Sequence, residues 1–284
     1  MSGQPPQLFD HRLYAKRRER SAKRFADYDF LHRRAMADIV DRLESVKREF
    51  SKALFYGVGD LASMLTADCA VGEIVHGDLA PSRLGDGSRR VVYAEDAAPF
   101  AHQSFHLIVS MLTLHNSNDL IGALAQMRAQ LKPDGLLIAV LFGEETLSGL
   151  KAALYRAETA ISGGVSARVA PFAAVRDLGA CLQRAGFALP VADMDSVKVK
   201  YENPARLFSD LRGMGETGIL KQRAKPMTRT LFAQSISEFA DSGGEARFDL
   251  VYLTGWAPHE SQQQPLKPGS ATSSLEEAVK KQSN

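Results

Sequence analysis

The chain has 284 residues, of which 45% are hydrophobic, 24% charged and 8% aromatic, ordinary proportions that exclude collagen-like, wholly disordered and disulfide-scaffold classes. Lys and Arg number 35 against 33 Asp and Glu, and a net charge of +2 projects no strong field toward nucleic acid or membrane. Cys69 and Cys181 lie far apart without ligand spacing, so neither a disulfide framework nor a zinc site is expected, and a reducing compartment fits. The opening MSGQPPQLFD carries no basic leader with an apolar run, and no apolar stretch reaches the roughly 18 residues of a transmembrane segment. A cytoplasmic protein is expected.

The segment HRLYAKRRERSAKRFADYDFLHRR opens the chain's organised part with nine Lys or Arg. Leu31, Ala35, Ile39, Leu43, Val46 and Phe50 recur every three or four residues, which predicts one buried face of a helix running to Phe50. The charges read either as a solvated face on that covering helix or as a basic site for an acidic partner. No nucleic-acid partner is expected, because no recognition motif and no aromatic interleaving accompany them.

From Ala53 short apolar runs alternate with turns and helical stretches, the texture of a parallel sheet. The predicted strands are ALFY (53–56), EIVH (73–76), RVVYA (90–94), HLIVSML (106–112) and LLIAVLF (136–142). Before the last, Asn118 or Asp119 can cap a helix whose buried stripe is Leu120, Leu124, Met127 and Leu131, with KPDG at 132–135 as its stop. Beyond Gly143 come helices in TLSGLKAALYRAETAI and AAVRDLGACLQRAGF, a strand in VADMDSVKVKY, and helices in PARLFSDLRGMG and TRTLFAQSISEFA. FDLVYLTGWAP suits a last strand inserted antiparallel. The organisation expected is a basic helical extension over 1–50, an α/β domain over 51–258 with a helical insertion at about 203–242, and a flexible polar tail over 259–284.

In an open parallel sheet the ligand lies beyond the carboxyl ends of the strands, where strand order reverses. After the first strand stand Gly57 and Gly59, which allow a tight turn and close approach, by a ligand or merely by the chain. After the second come Asp78, at the position that grips a ribose diol, and Leu79. After the third come Glu95, Asp96 and Ala97, and after the fourth the run from Ser110 to His115.

This succession, with AEDAAPFAHQSFHLIVSMLTLH and the helix ending LKPDGLLIAVLFG, resembles the class I S-adenosylmethionine-dependent methyltransferases, in particular their malonyl-carrier-protein methyltransferase-like branch. GGVSARVAPFAAVRDLGACLQRAGF, LFSDLRGMGE and the late GWAPHESQ with GSATSS resemble further the complex I assembly-factor family of methyltransferase-like arginine hydroxylases. The resemblance spans roughly residues 8 to 278. It implies a doubly wound, mostly parallel seven-stranded sheet with the last strand antiparallel, N-terminal helices and a helical insertion. It also implies S-adenosylmethionine at Gly57, Gly59, Asp78, Leu79, Glu95, Asp96, Ala97, Ser110 and His115, and a bacterial cytoplasmic protein acting on a protein partner such as a complex I subunit.

The sequence departs from the family's D-x-G-x-G-x-G turn at two places: Phe55 replaces the leading acid and Leu61 the third glycine, with Asp60 before it. Ala94 stands where an acid is common, His106 where the family has Asp, and Asn116 where an aromatic is usual. A degenerate, cofactor-free scaffold is therefore the alternative to a methyltransferase. His115 reads as a proton carrier or as a partner of the Asn-Ser-Asn-Asp turn; Glu144 and Glu145 as a binding site for an arginine-bearing partner or as a helix start. Trp256 reads as packing, and Arg212 and Met214 as part of a substrate-facing lid or a helix C-terminal turn. No catalytic residue or metal ligand set emerges.

Overall fold

The computed structural model describes residues 7–87, 89–222 and 224–262. Among them seven strands form one sheet: β1 (Phe50–Tyr56), β2 (Val71–Asp78), β3 (Arg90–Val92), β4 (Phe105–Met111), β5 (Leu131–Phe142), β6 (Ala188–Lys200) and β7 (Glu245–Trp256). Their order is β3-β2-β1-β4-β5-β7-β6. β1 to β5 pair in parallel, and β7 runs antiparallel to both β5 and β6, as the doubly wound reading requires. Strand order reverses between β1 and β4, so the crevice expected to hold a ligand opens above Tyr56, Asp78 and Met111.

The first half of the sheet is unusual in its connections. After β1 the chain makes 3-10 turns at Gly59–Met64 and Ala67–Cys69, and after β2 another at Pro81–Arg83, where crossover helices are normal. The cover comes instead from the N-terminal helices α1 (His11–Ala22) and α2 (Phe30–Ser45). In α2, Leu31, Ala35, Ile39 and Leu43 are fully buried and join Phe50, Phe55 and Leu61 in the main core. The helix ends earlier than its periodicity predicts: Val46 is extended, and Phe50 opens β1 opposite Val71. A four-residue spacing cannot distinguish another helical turn from the first residue of a strand.

α3 (Leu120–Gln130) begins where expected, the Asp119 carboxylate accepting from the Gly122 N–H at 2.8 Å. It ends before KPDG, which lies inside β5 rather than stopping the helix. Pro133 has no N–H for the ladder, and the register against β4 jumps from Leu131 to Leu136 around it. α4 (Ser148–Ser162) and α5 (Val175–Arg184) follow β5; α6 (Ala205–Met214) and α7 (Arg229–Asp241) stand between β6 and β7. Leu124 and Met127 of α3 and Leu178 and Leu182 of α5 close the opposite face of the sheet. No helix among the described residues is long and apolar enough to cross a membrane. The mobile tail expected over 259–284 lies, from residue 263 onward, outside the described residues.

Candidate functional site

Capped by the Asp10 side chain, which accepts from the Leu13 N–H at 2.9 Å, α1 lies across the mouth of the sheet. Its buried positions are Tyr14, Arg18 and Ser21, an i, i+4, i+7 stripe with a cation at its centre. Arg18 is fully buried. Its Nη2 donates to Asp78 Oδ2 at 2.6 Å and its Nε to Asp78 Oδ1 at 3.0 Å, the parallel two-bond geometry that guanidinium and carboxylate favour. Asp78 Oδ1 also accepts from the Ala80 N–H at 2.8 Å. Both oxygens of the carboxylate expected at a ribose diol are therefore committed within the chain.

The same helix reaches the other expected acid. His11 Nδ1 stands 3.6 Å from Asp96 Oδ2, while its Nε2 contacts the Asn116 carbonyl at 3.0 Å. Arg18 Nη1 donates to the Tyr14 hydroxyl at 3.2 Å, and that hydroxyl donates to Glu216 Oε1, also at 3.2 Å. Glu216 Oε2 lies 3.1 Å from His115 Nε2, so one buried network links α1, the turn after β4 and the end of α6. Burial works against ionisation of Glu216, but the His115 hydrogen bond and the Arg18 charge outweigh it and hold its pKa below the ordinary carboxylate value.

The glycine turn is shaped by the chain itself. Gly57 and Gly59 both have positive φ, at 74° and 54°. A Cβ at Gly57 would stand 2.6 Å from the Met111 carbonyl oxygen, and one at Gly59 would stand 2.7 Å from that of Arg83. Both glycines are required by close backbone approach, whatever a ligand would need. Of the departures in this turn, Phe55 and Leu61 point into the core. Tyr56 occupies the cleft side, its hydroxyl donating to the Tyr93 carbonyl at 2.7 Å and its ring lying edge-on to Tyr93.

Glu95 is buried beneath this aromatic pair. Desolvation pushes its pKa up to about 7 even though the Ser110 hydroxyl donates to it at 2.5 Å. Asp96 caps the residual opening, and Ala97 donates its N–H to the Ala94 carbonyl in the 3-10 turn Glu95–Ala97. What remains of the cleft, between Tyr14, Tyr56, Leu79, Glu95 and Asp96, is a cavity of about 20 Å³. That holds roughly one water, whereas small-molecule sites run from about 300 Å³ upward. S-adenosylmethionine does not fit the cleft as it stands: its ribose acceptor is paired with Arg18, and Tyr14, Tyr56 and their neighbours leave only this small volume.

The expected residues thus divide between two places. Asp78, Leu79, Glu95, Asp96, Ala97 and Ser110 gather with the glycine turn under α1. His115 faces the other way, its ring against Phe142 and Phe172 in the wall of a cavity of about 510 Å³ beneath α4, α6 and α7. Arg212 lines that cavity too, and Gly215, with φ at 87°, ends α6. Glu144 and Glu145 are exposed beside a second cleft of about 450 Å³ that includes Tyr155, Pro171 and Phe172. Trp256 packs under the Arg48 guanidinium, 5.0 Å from the ring centre. The residues missed in the sequence are Tyr14, Arg18 and Glu216. The one signal for Tyr14 and Arg18 was the Tyr14, Arg18, Ser21 stripe inside the charge run, and Glu216 had none.

A family profile described as a methyltransferase domain matches residues 56–139. The Homo sapiens protein named arginine-hydroxylase NDUFAF5, mitochondrial, is 35% identical, over 96% of this chain and 84% of its own length. A malonyl-[acyl-carrier protein] O-methyltransferase of Halorhodospira halophila is 30% identical, over 74% of this chain and 72% of its own length. Among solved structures the YcgJ protein of Bacillus subtilis superposes with a TM-score of 0.52 at 14% identity, over 80% of this chain and 99% of that one, which is a likeness of fold alone. These relatives correct the expected bacterial cytoplasmic location, since the matched human, mouse and zebrafish proteins all carry the word mitochondrial in their names. The missing apolar span on which that expectation rested does not distinguish one aqueous compartment from another.

Proposed function

This chain belongs to the NDUFAF5 arginine-hydroxylase family, and from that premise we propose that it is a respiratory complex I assembly factor that holds an arginine-bearing protein partner with its nucleoside cleft shut. The observation that carries the reading is the pairing of both Asp78 oxygens with Arg18. With three hydrogen bonds already accepted, Asp78 can grip a ribose diol with both oxygens only by giving up Arg18. The exposed Glu144 and Glu145, beside an open cleft with aromatic walls, offer two carboxylates to a guanidinium, Glu145 within the field of Arg247 and Lys151 lining the same cleft. The partner follows from the arginine named in the relatives and from this acid pair.

A methyltransferase reading has its own support in the retained Gly57, Gly59, Asp78 and Glu95, and it requires α1 to leave the cleft. The two readings part on one experiment. Deleting the gene in its own host and measuring assembled complex I on native gels gives the baseline. The double variant Arg18→Met, Asp78→Leu keeps the cleft filled and removes the ribose acceptor. It is expected to restore assembly as fully as the wild type, while Glu144→Lys with Glu145→Lys is not. A folded Arg18→Met, Asp78→Leu protein that fails to restore assembly contradicts the cofactor-free reading.

A further inference from the structure

The cavity of about 510 Å³ has no ligand assigned to it, and it is of the size that encloses a small molecule. Its depth is apolar: Leu150, Leu154, Phe142 and Phe248 are each no more than 3% exposed. Phe208 and Phe232 stack edge to face at 5.0 Å from α6 and α7 and form a further wall. Buried, unpaved apolar wall of this extent loses contacts unless something fills it.

The charged residues of the lining are predominantly cationic. Arg17, Arg168, Arg212 and Lys225 are cations, and Glu216 is the one acid among the described lining residues. Glu216 is already bound to Tyr14 and His115. Two of the cations are engaged: Arg168 with Glu158 at 2.6 Å and Arg17 with the Gly218 carbonyl. Arg212 and Lys225 are exposed, and among the described residues neither side chain makes a hydrogen bond or ion pair. Uncommitted cations at the surface of a deep apolar pocket match a molecule with an apolar chain and an anionic head. They repel an arginine side chain, which distinguishes this cavity in charge from the adjoining cleft at Glu144 and Glu145, with which it shares Thr146, Val169, Ala170 and Phe172.

We propose that this cavity binds a single-chain carboxylate amphiphile of medium length, its chain against Leu150, Leu154 and Phe248 and its carboxylate at Arg212 and Lys225. Recognition is by apolar burial for the chain and by charge for the head, so both parts are separately testable without altering the core.

The experiment is calorimetric titration of the full chain, stripped of copurified lipid, with decanoate, decanol, decylammonium and butanoate. Decanoate is expected to bind with one-to-one stoichiometry, at least about tenfold more tightly than decanol or butanoate and more weakly as salt is raised. Arg212→Glu and Lys225→Glu, both on exposed side chains, are each expected to weaken decanoate about tenfold and to leave decanol unchanged. Decanol or decylammonium binding as tightly as decanoate overturns the charge assignment. Decanoate affinity unmoved by both variants places the amphiphile elsewhere and overturns the site. Absence of saturable decanoate binding overturns the proposal outright, leaving the cavity to a segment of a protein partner.

Discussion

Glu95 shows what closing the cleft does to a single residue. Its carboxyl is buried against Ser110 and the Tyr56 and Tyr93 rings, and desolvation raises its pKa from 4.5 to about 7. The folded chain therefore holds this proton at pH values where the unfolded chain has lost it, and stability falls as pH rises between those two values. Urea unfolding across that window is expected to show the decline, and Glu95→Gln, which stays neutral throughout, is expected to flatten it. An unchanged slope in the variant assigns the proton elsewhere. Glu216 works in the opposite sense, because its lowered pKa contributes stability that is lost only as pH falls below the ordinary carboxylate range. The positions of Asp78 and Glu95 were legible in the sequence because strand ends fix them. Their partners were not: nothing in a run of nine cations says which one faces inward, beyond the four-residue step from Tyr14 to Arg18.

The stability of α1 on the sheet rests on that step. Breaking a buried ion pair by removing one partner costs about 3–5 kcal/mol, because the other charge stays buried. Replacing both by apolar groups of similar volume avoids that cost, and here leaves the Ala80 N–H without its Asp78 acceptor, at about 1–3 kcal/mol. Arg18→Met and Asp78→Leu are thus expected to be severe singly and mild together, a coupling that a double-mutant cycle in urea measures directly. Additive losses contradict the docking described. Elements were readable where period and cap agreed, as in α3 behind Asp119 and the buried face of α2. They were misread where local signals were ambiguous. Phe50 fits a helical spacing yet begins a strand, and KPDG has turn composition yet lies in β5, where a register jump absorbs Pro133.

Across the whole molecule the alternation of strands and turns pointed to a parallel sheet, and the family resemblance supplied its seven strands with the last one antiparallel, as the structure has them. Composition hid two things. A net charge of +2 conceals a buried cation at one cavity and a mostly cationic lining at another. The glycine turn, which reads as a ligand cradle, is also needed for the chain's own close packing, against the Met111 carbonyl at the end of β4 and the Arg83 carbonyl in the turn after β2. Opening the cleft requires undocking α1, and every increment of about 1.4 kcal/mol in that cost weakens an intrinsic nucleoside affinity tenfold. Calorimetric titration of the full chain, freed of copurified nucleoside, with S-adenosylhomocysteine tests this most directly. The Arg18 and Asp78 pairing predicts no saturable heat below about millimolar ligand, and a submicromolar dissociation constant would contradict it.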